Sequence, residues 1–244
     1  MKIISIINQK GGVGKTTTAV NLAAGLSQLN KKVLVVDLDP QGNATTGLGL
    51  SNLEDTENSI YGVLNGTKQF LNTIKKTNFK NLDLVTSTVD LSGIEIETAD
   101  DQKRAFILKD KLADFVSEDE VKYDYILIDC PPSLSLLTVM ALVASNSLLV
   151  PLQTEFFALE GITQLIKTIE RIKSNLNQSL EIRGILLTMY DKRNKLSSEV
   201  ESEARKYFQD KVYKTVIPRN VRLSEAPSHG VPVLIYDKTC PGSK

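Results

Sequence analysis

Residues 3–17 read IISIINQKGGVGKTT, and this stretch decides the fold. Ile3, Ile4, Ile6 and Ile7 form a β-branched apolar run of strand length, the composition of a buried parallel strand. Glycines follow at 11, 12 and 14. Without a Cβ, they let the backbone approach a ligand and turn its N–H groups inward. Lys15-Thr16-Thr17 opens a helix that continues through Ala19, Leu22, Ala23 and Leu26. A strand, a glycine loop and a helix N-terminus make a phosphate cradle, with the helix dipole favouring the anion. In this P-loop Gly11, Gly12, Val13, Gly14, Lys15, Thr16 and Thr17 would wrap the phosphates of ATP. Lys15 would neutralise the β- and γ-phosphates, and the Thr16 hydroxyl would ligate Mg²⁺.

The usual pattern, G-x-x-x-x-G-K-[ST], has glycine where this chain has Gln9, and a second lysine, Lys10, opens the loop. The run from Lys10 to Thr16 resembles the deviant Walker A motif. That resemblance implies that Lys10 reaches across a dimer interface to the nucleotide of the other subunit.

At 244 residues, 41% hydrophobic and 24% charged, the chain can bury a sizeable core as one globular domain spanning 1–244. No apolar run approaches the ~18–20 residues that span a bilayer. The N-terminus runs straight into the first strand, so no signal peptide is expected, and Cys130 and Cys240 stand in no metal spacing. Both features fit a reducing cytoplasm. Formal net charge is zero, so affinity for nucleic acid must come from a local patch.

Lys32-Val-Leu-Val-Val36 reads as a second buried strand, delivering Asp37-Leu-Asp39-Pro-Gln-Gly-Asn43 at its C-terminal end. Ligands gather at the carboxyl ends of strands in open α/β sheets, so both aspartates should face the phosphate loop. Residues 45–80 read as surface elaboration with short helical stretches, 81–85 as a third strand, and 92–101 as a solvated acidic face. A helical stripe of apolar residues at 105, 108, 112, 115 and 116 should face the sheet. Tyr123-Asp-Tyr-Ile-Leu-Ile-Asp129-Cys-Pro-Pro132 is a hydrophobic strand ending in Asp, the Walker B pattern, whose carboxylate holds the Mg²⁺ shell through water. Cys130 should be a small buried filler.

Beyond it, strands at 147–152, 182–188 and 212–217 alternate with helices at 159–172 and 197–208. This rhythm predicts an α/β fold: a single-domain P-loop NTPase whose mostly parallel twisted sheet carries helices on both faces. Between Arg183 and Arg222 stand ten basic residues and five acidic ones, an excess that singles out this region in a neutral chain. Lys192, Arg193, Lys195, Arg219 and Arg222 are its candidate DNA contacts.

KGGVGKTT, DLDPQGN, DCPPS, ALEG and NVRLSEAPSHG together give a resemblance that runs from residue 1 to about 237. The chain resembles the ParA/Soj-type chromosome or plasmid partitioning ATPases. The resemblance implies an ATP-dependent homodimer that binds duplex DNA without sequence preference, is nucleoid-associated, and is reset by hydrolysis under a ParB-like activating protein. It implies that Asp39 holds the attacking water, with Lys10 and Lys15 as its catalytic companions. Asp37 would serve the metal's outer shell, and Pro218 and Asn220 would lie against adenine. His229, the sole histidine, would have a loop role. Relatives continue into a further C-terminal helix, whereas this sequence ends at Thr239-Cys-Pro-Gly-Ser-Lys244, so that helix is expected to be absent. The alternative is a MinD-like membrane-cycling ATPase, which a terminal amphipathic helix would favour; none is read, and no membrane contact is expected. A small-molecule kinase or ligase on the same fold would need its own polar substrate constellation, and none is evident.

Overall fold

The computed structural model describes residues 1–50, 55–117 and 122–244. The isoleucine run forms β1 (Lys2–Ile6), followed by α1 (Lys15–Gln28) and the fully buried β2 (Val33–Asp37). Two short helices, α2 (Asn43–Gly47) and α3 (Ile60–Leu64), lead to a hairpin of β3 (Ile74–Lys76) and β4 (Leu82–Val85). Then come α4 (Ile94–Glu97), α5 (Ile107–Ser117), β5 (Tyr125–Asp129), α6 (Leu136–Ala144) and β6 (Ser147–Gln153). The last part alternates α7 (Ala158–Asn175), β7 (Glu181–Tyr190), α8 (Lys195–Phe208) and β8 (Val212–Pro218) before the short α9 (Val221–Glu225) and α10 (Val233–Tyr236).

The eight strands form one sheet in the order β3-β4-β2-β5-β1-β6-β7-β8, parallel throughout except for β3. Successive side chains of a strand point to opposite faces, so a strand buried on both needs apolar residues at every position. β2 shows this division. Val33 and Val35 pack with Ala19, Val20 and Ala23 of α1, while Leu34 and Val36 pack with Leu108 and Leu112 of α5 and Met140 of α6. A third cluster joins β6 and β7 to α7 and α8 through Leu148, Val150, Ile162, Leu165 and Val200. Each fully buried side chain of this kind contributes about 1.5–3 kcal/mol.

The sheet is the one expected, but parts of its periphery are not. Residues 45–80 are more than surface elaboration: Ile60, Val63, Leu64 and Phe70 are buried in the core, with Phe70 stacked on Phe115 at 4.9 Å between ring centroids. β3 was not foreseen, because three residues are too few to show a strand period. Nor was α6, which is buried on nearly all sides and so has no amphipathic stripe to read. In 92–101 the four carboxylates are exposed as expected, but Ile94 anchors the segment in the core. Of the predicted stripe, Leu108, Leu112 and Phe115 are buried, whereas Val116 points outward.

Candidate functional site

The chain order reverses at β1, which lies between β5 and β6, so the C-terminal ends of β1, β2 and β5 open onto one crevice. Such a switch point is where open α/β sheets bind ligands. A cleft of about 740 Å³ lies there, lined by Gly11, Gly12, Gly14, Lys15, Thr16, Thr17 and Asp39 on one side and by Pro218, Arg219 and Asn220 on the other. That volume suits a nucleotide.

The phosphate loop is fixed from several sides. Gly12 and Gly14 take φ values of +75° and +89°, a conformation that favours glycine, and Gly14 caps α1. Val13 is buried, and its carbonyl accepts a hydrogen bond from Thr188 Oγ1 at the end of β7 at 2.8 Å. Asn8 donates to the Pro151 carbonyl in β6 at 2.7 Å and accepts from the Lys10 N–H at 3.0 Å. The Lys15 ammonium, also buried, donates to the Lys10 carbonyl at 3.0 Å. Burial lowers the pKa of Lys15, while the nearby Asp129, Cys130 and Asp39 oppose that shift.

Asp37 and Asp129 end β2 and β5, and both are fully buried. Asp37 Oδ2 accepts from the Thr45 N–H and hydroxyl, both at 2.7 Å, and Oδ1 accepts from the Asp39 N–H at 3.3 Å. Burial nevertheless pushes its carboxyl up to about 6. Asp129 is likewise raised, by burial first and then by the neighbouring Asp37. The Thr16 hydroxyl is close enough to pull Asp129 back down, yet neither Asp129 oxygen has a hydrogen bond of ordinary geometry among the described residues. An orphaned buried carboxylate beside a second carboxylate and a threonine hydroxyl is a donor set that suits Mg²⁺, a hard cation that keeps several waters. Asp39 is nearly buried at the cleft wall, its Oδ1 accepting from the Gln41 N–H at 3.0 Å. Cys130 is buried and its thiol is pushed up, chiefly by burial, in keeping with an inert filler. His229 lies in the turn Ala226–His229 with its ring stacked on Tyr236.

Lys10 is placed differently from the rest. Its side chain is 48% exposed, it is not among the residues lining the cleft, and its ammonium pairs with Glu155. Nothing in the sequence pattern singled out Glu155 or Thr188, because each acts through a contact distant in the chain, nor Thr45, which meets Asp37 eight residues away.

The five candidate DNA contacts come together at one edge. β7 and β8 are parallel neighbours with Tyr190 opposite Pro218, so the turn that carries Lys192 and Arg193 into Lys195 at the start of α8 lies beside the segment that carries Arg219 into α9, where Arg222 stands. The Arg219 N–H donates to the Tyr190 carbonyl at 3.0 Å. All five side chains are exposed. Arg193 forms a bidentate pair with Asp191, and Arg222 pairs with Glu225 at 2.7 Å and with Asp237 at 3.5 Å. Lys192, Lys195 and Arg219 have no ion pair among the described residues.

A strand–glycine loop–helix cradle with one aspartate at the end of the adjacent β5 and another at the end of β2 beyond it defines a P-loop nucleoside triphosphatase. An AAA domain model matches residues 1–182. The chain is 50% identical to the chromosome partitioning protein ParA of Caulobacter vibrioides strain NA1000 / CB15N, covering 100% of this chain and 90% of that protein. It is 52% identical to the sporulation initiation inhibitor protein Soj of Bacillus subtilis strain 168, covering 100% and 94%. Among solved structures it resembles cobyrinic acid a,c-diamide synthase from Mycobacterium smegmatis with bound ADP and magnesium. The TM-score is 0.83 at 33% identity, over 94% of this chain and 91% of that one. The chain belongs to the ParA/Soj family of chromosome partitioning ATPases.

Proposed function

We propose that this protein is an ATP-dependent dimerisation switch that binds duplex DNA without sequence preference and is reset by hydrolysis, serving chromosome or plasmid segregation. The observation that carries this reading is the division of labour between the two loop lysines. Lys15 is buried in the cleft, where its charge would face the phosphates of its own nucleotide, whereas Lys10 is half-exposed and does not line the cleft. A cation in that place is suited to the nucleotide of a second copy.

Mg²⁺ bound beside Thr16, with Asp37 and Asp129 behind it, would offset charge developing on the phosphates. Asp39, nearly buried at the wall, would orient the attacking water. Pro218 and Asn220 would flank the adenine from across the cleft. No glutamate follows Asp129, so turnover is expected to be slow and raised by a ParB-like activating partner. A chain of hydrogen bonds would couple the nucleotide to the DNA-binding edge. Thr188 Oγ1 holds the Val13 carbonyl, and the Thr188 carbonyl accepts from the Thr154 N–H at 3.2 Å. The Thr154 hydroxyl then meets Ser197 Oγ at 3.2 Å in the first turn of α8, beside Lys192, Arg193 and Lys195. The protein would work in the cytoplasm on the nucleoid; no helix among the described residues is long and apolar enough to cross a membrane.

Sizing by light scattering with Mg-ATP tests the switch. Wild type is expected to dimerise and turn over. Asp39→Ala should bind ATP, lose turnover and accumulate as dimer, and Lys10→Ala should bind ATP but remain monomeric. A monomeric Asp39 variant together with a dimeric Lys10 variant would overturn the mechanism.

A further inference from the structure

Lys10 is tied down at three points within its own chain. Its N–H and carbonyl are held by Asn8 and Lys15, each at 3.0 Å, and its ammonium is paired with Glu155. Glu155 belongs to the junction between β6 and α7. Its N–H donates to the Gln153 carbonyl at 2.9 Å, and its carbonyl accepts from the Ala158 N–H at 3.0 Å as α7 begins. The carboxylate is therefore set on a fixed turn beside the phosphate loop. It is followed by Phe156 and Phe157, 72% and 64% exposed, whose rings meet edge to face at 5.1 Å.

While it is paired with this carboxylate, the ammonium has part of its charge and at least one of its three donors committed within its own chain. We propose that Glu155 is a positioning residue that keeps Lys10 folded back on its own chain. A second, nucleotide-loaded copy must then displace the carboxylate to take the lysine. The withholding role rests on the dimer reading above; the intrachain pair does not. Both side chains are partly exposed, 48% for Lys10 and 28% for Glu155, so the pair is a weak one by nature. A triphosphate, with several negative charges against one, can outcompete it. The latch thus raises the threshold for assembly without blocking it.

Three measurements on the full chain test this with Glu155→Gln, the conservative Glu155→Asp, and Glu155→Gln in a Lys10→Ala background. The first is acylation of Lys10 by an amine reagent without nucleotide, read by mass spectrometry. Labelling should quicken in Glu155→Gln and return toward wild type in Glu155→Asp. The second is the protein concentration at which half the chains dimerise with Mg-ATP. Glu155→Gln should lower it about two- to thirtyfold, the range set by the two exposed ion pairs that a symmetric dimer releases, with unchanged ATP affinity of the monomer. The third is urea unfolding. In the Lys10→Ala background, which gives neither labelling at position 10 nor a dimer, Glu155→Gln should leave the urea-unfolding midpoint unchanged, whereas a merely structural role for the carboxylate would lower it. Unchanged labelling overturns the pair itself. Quicker labelling with weaker dimerisation overturns the withholding role, because Glu155 would then be presenting the lysine. A wild type that never dimerises with ATP overturns the dimer reading and the withholding role, while the labelling still decides the pair.

Discussion

Asp37 and Asp129 stand opposite each other in the register of two adjacent parallel strands, β2 and β5, and both carboxylates are fully buried. Burial favours their protonated forms, with repulsion from Asp39 adding at Asp37 and from Asp37 at Asp129, so each has a folded-state pKa above its ordinary 3.8, with Asp37 at about 6. For a raised carboxylate the penalty is absent below the unfolded pKa, grows as pH rises, and is complete above the folded pKa. The chain without ligand should therefore gain stability as pH falls from about 7 toward about 4.5. Asp37 alone accounts for about 3 kcal/mol at most. Urea unfolding at a series of pH values checks this, and Asp37→Asn should flatten the rise. A stability that falls steadily on acidification across that window would contradict the placement of the two carboxylates.

The Lys15 ammonium is buried and lent to the Lys10 carbonyl, a weak partner that a phosphate oxygen can replace. Lys15→Ala should weaken Mg-ATP binding at least tenfold, about 1.4 kcal/mol, and Thr16→Ala should do likewise by removing a metal ligand. Titration calorimetry reads both, and unchanged affinity in the two variants would remove the P-loop assignment.

Gly230, at φ +64°, packs backbone to backbone against Gly49, and a Cβ there would come within 2.7 Å of Gly49 Cα. The obstacle is main chain, which cannot rotate aside. Gly230→Ala should cost about 1–3 kcal/mol and weaken nucleotide binding, because Ala226, Pro227, Ser228 and Val231 line the cleft beside it. Gly66 has φ +85° with no atom within 4 Å of such a Cβ, so Gly66→Ala should show only the smaller backbone effect and spare binding. Denaturant curves and calorimetry on the pair separate packing from strain.

Much of the centre of this site was legible because its chemistry is local in sequence. A glycine loop between strand and helix, and an aspartate ending each of two apolar strands, leave few other readings. What stayed hidden is carried by contacts between distant residues. Thr188 and Val13 are 175 positions apart, and Glu155 resembles any other exposed acid until the β6–α7 turn brings it to Lys10. The basic excess was visible as composition, but pairing was not: Asp191 holds Arg193 and is itself drawn down to about 2 by that guanidinium. Of the five candidate contacts, Lys192, Lys195 and Arg219 remain without ion pairs among the described residues, so they should carry more of any phosphate binding.

The most direct test of the account is duplex DNA binding measured with and without Mg-ATP across a salt series. On the proposed switch, two copies aligned by ATP would double the number of neutralised phosphates, each adding nearly one unit to the salt slope. Binding should be tight only with ATP, indifferent to sequence, and should weaken steeply as salt rises. Lys192→Ala or Lys195→Ala should weaken it uniformly and reduce the slope by about one for each phosphate that is no longer neutralised, while ATP binding is unchanged. Arg193→Ala and Arg222→Ala should have smaller effects, since their charges are already shared with Asp191, Glu225 and Asp237. Salt-insensitive or sequence-specific binding, or no DNA binding alongside ATP-dependent binding to anionic vesicles, would contradict the account.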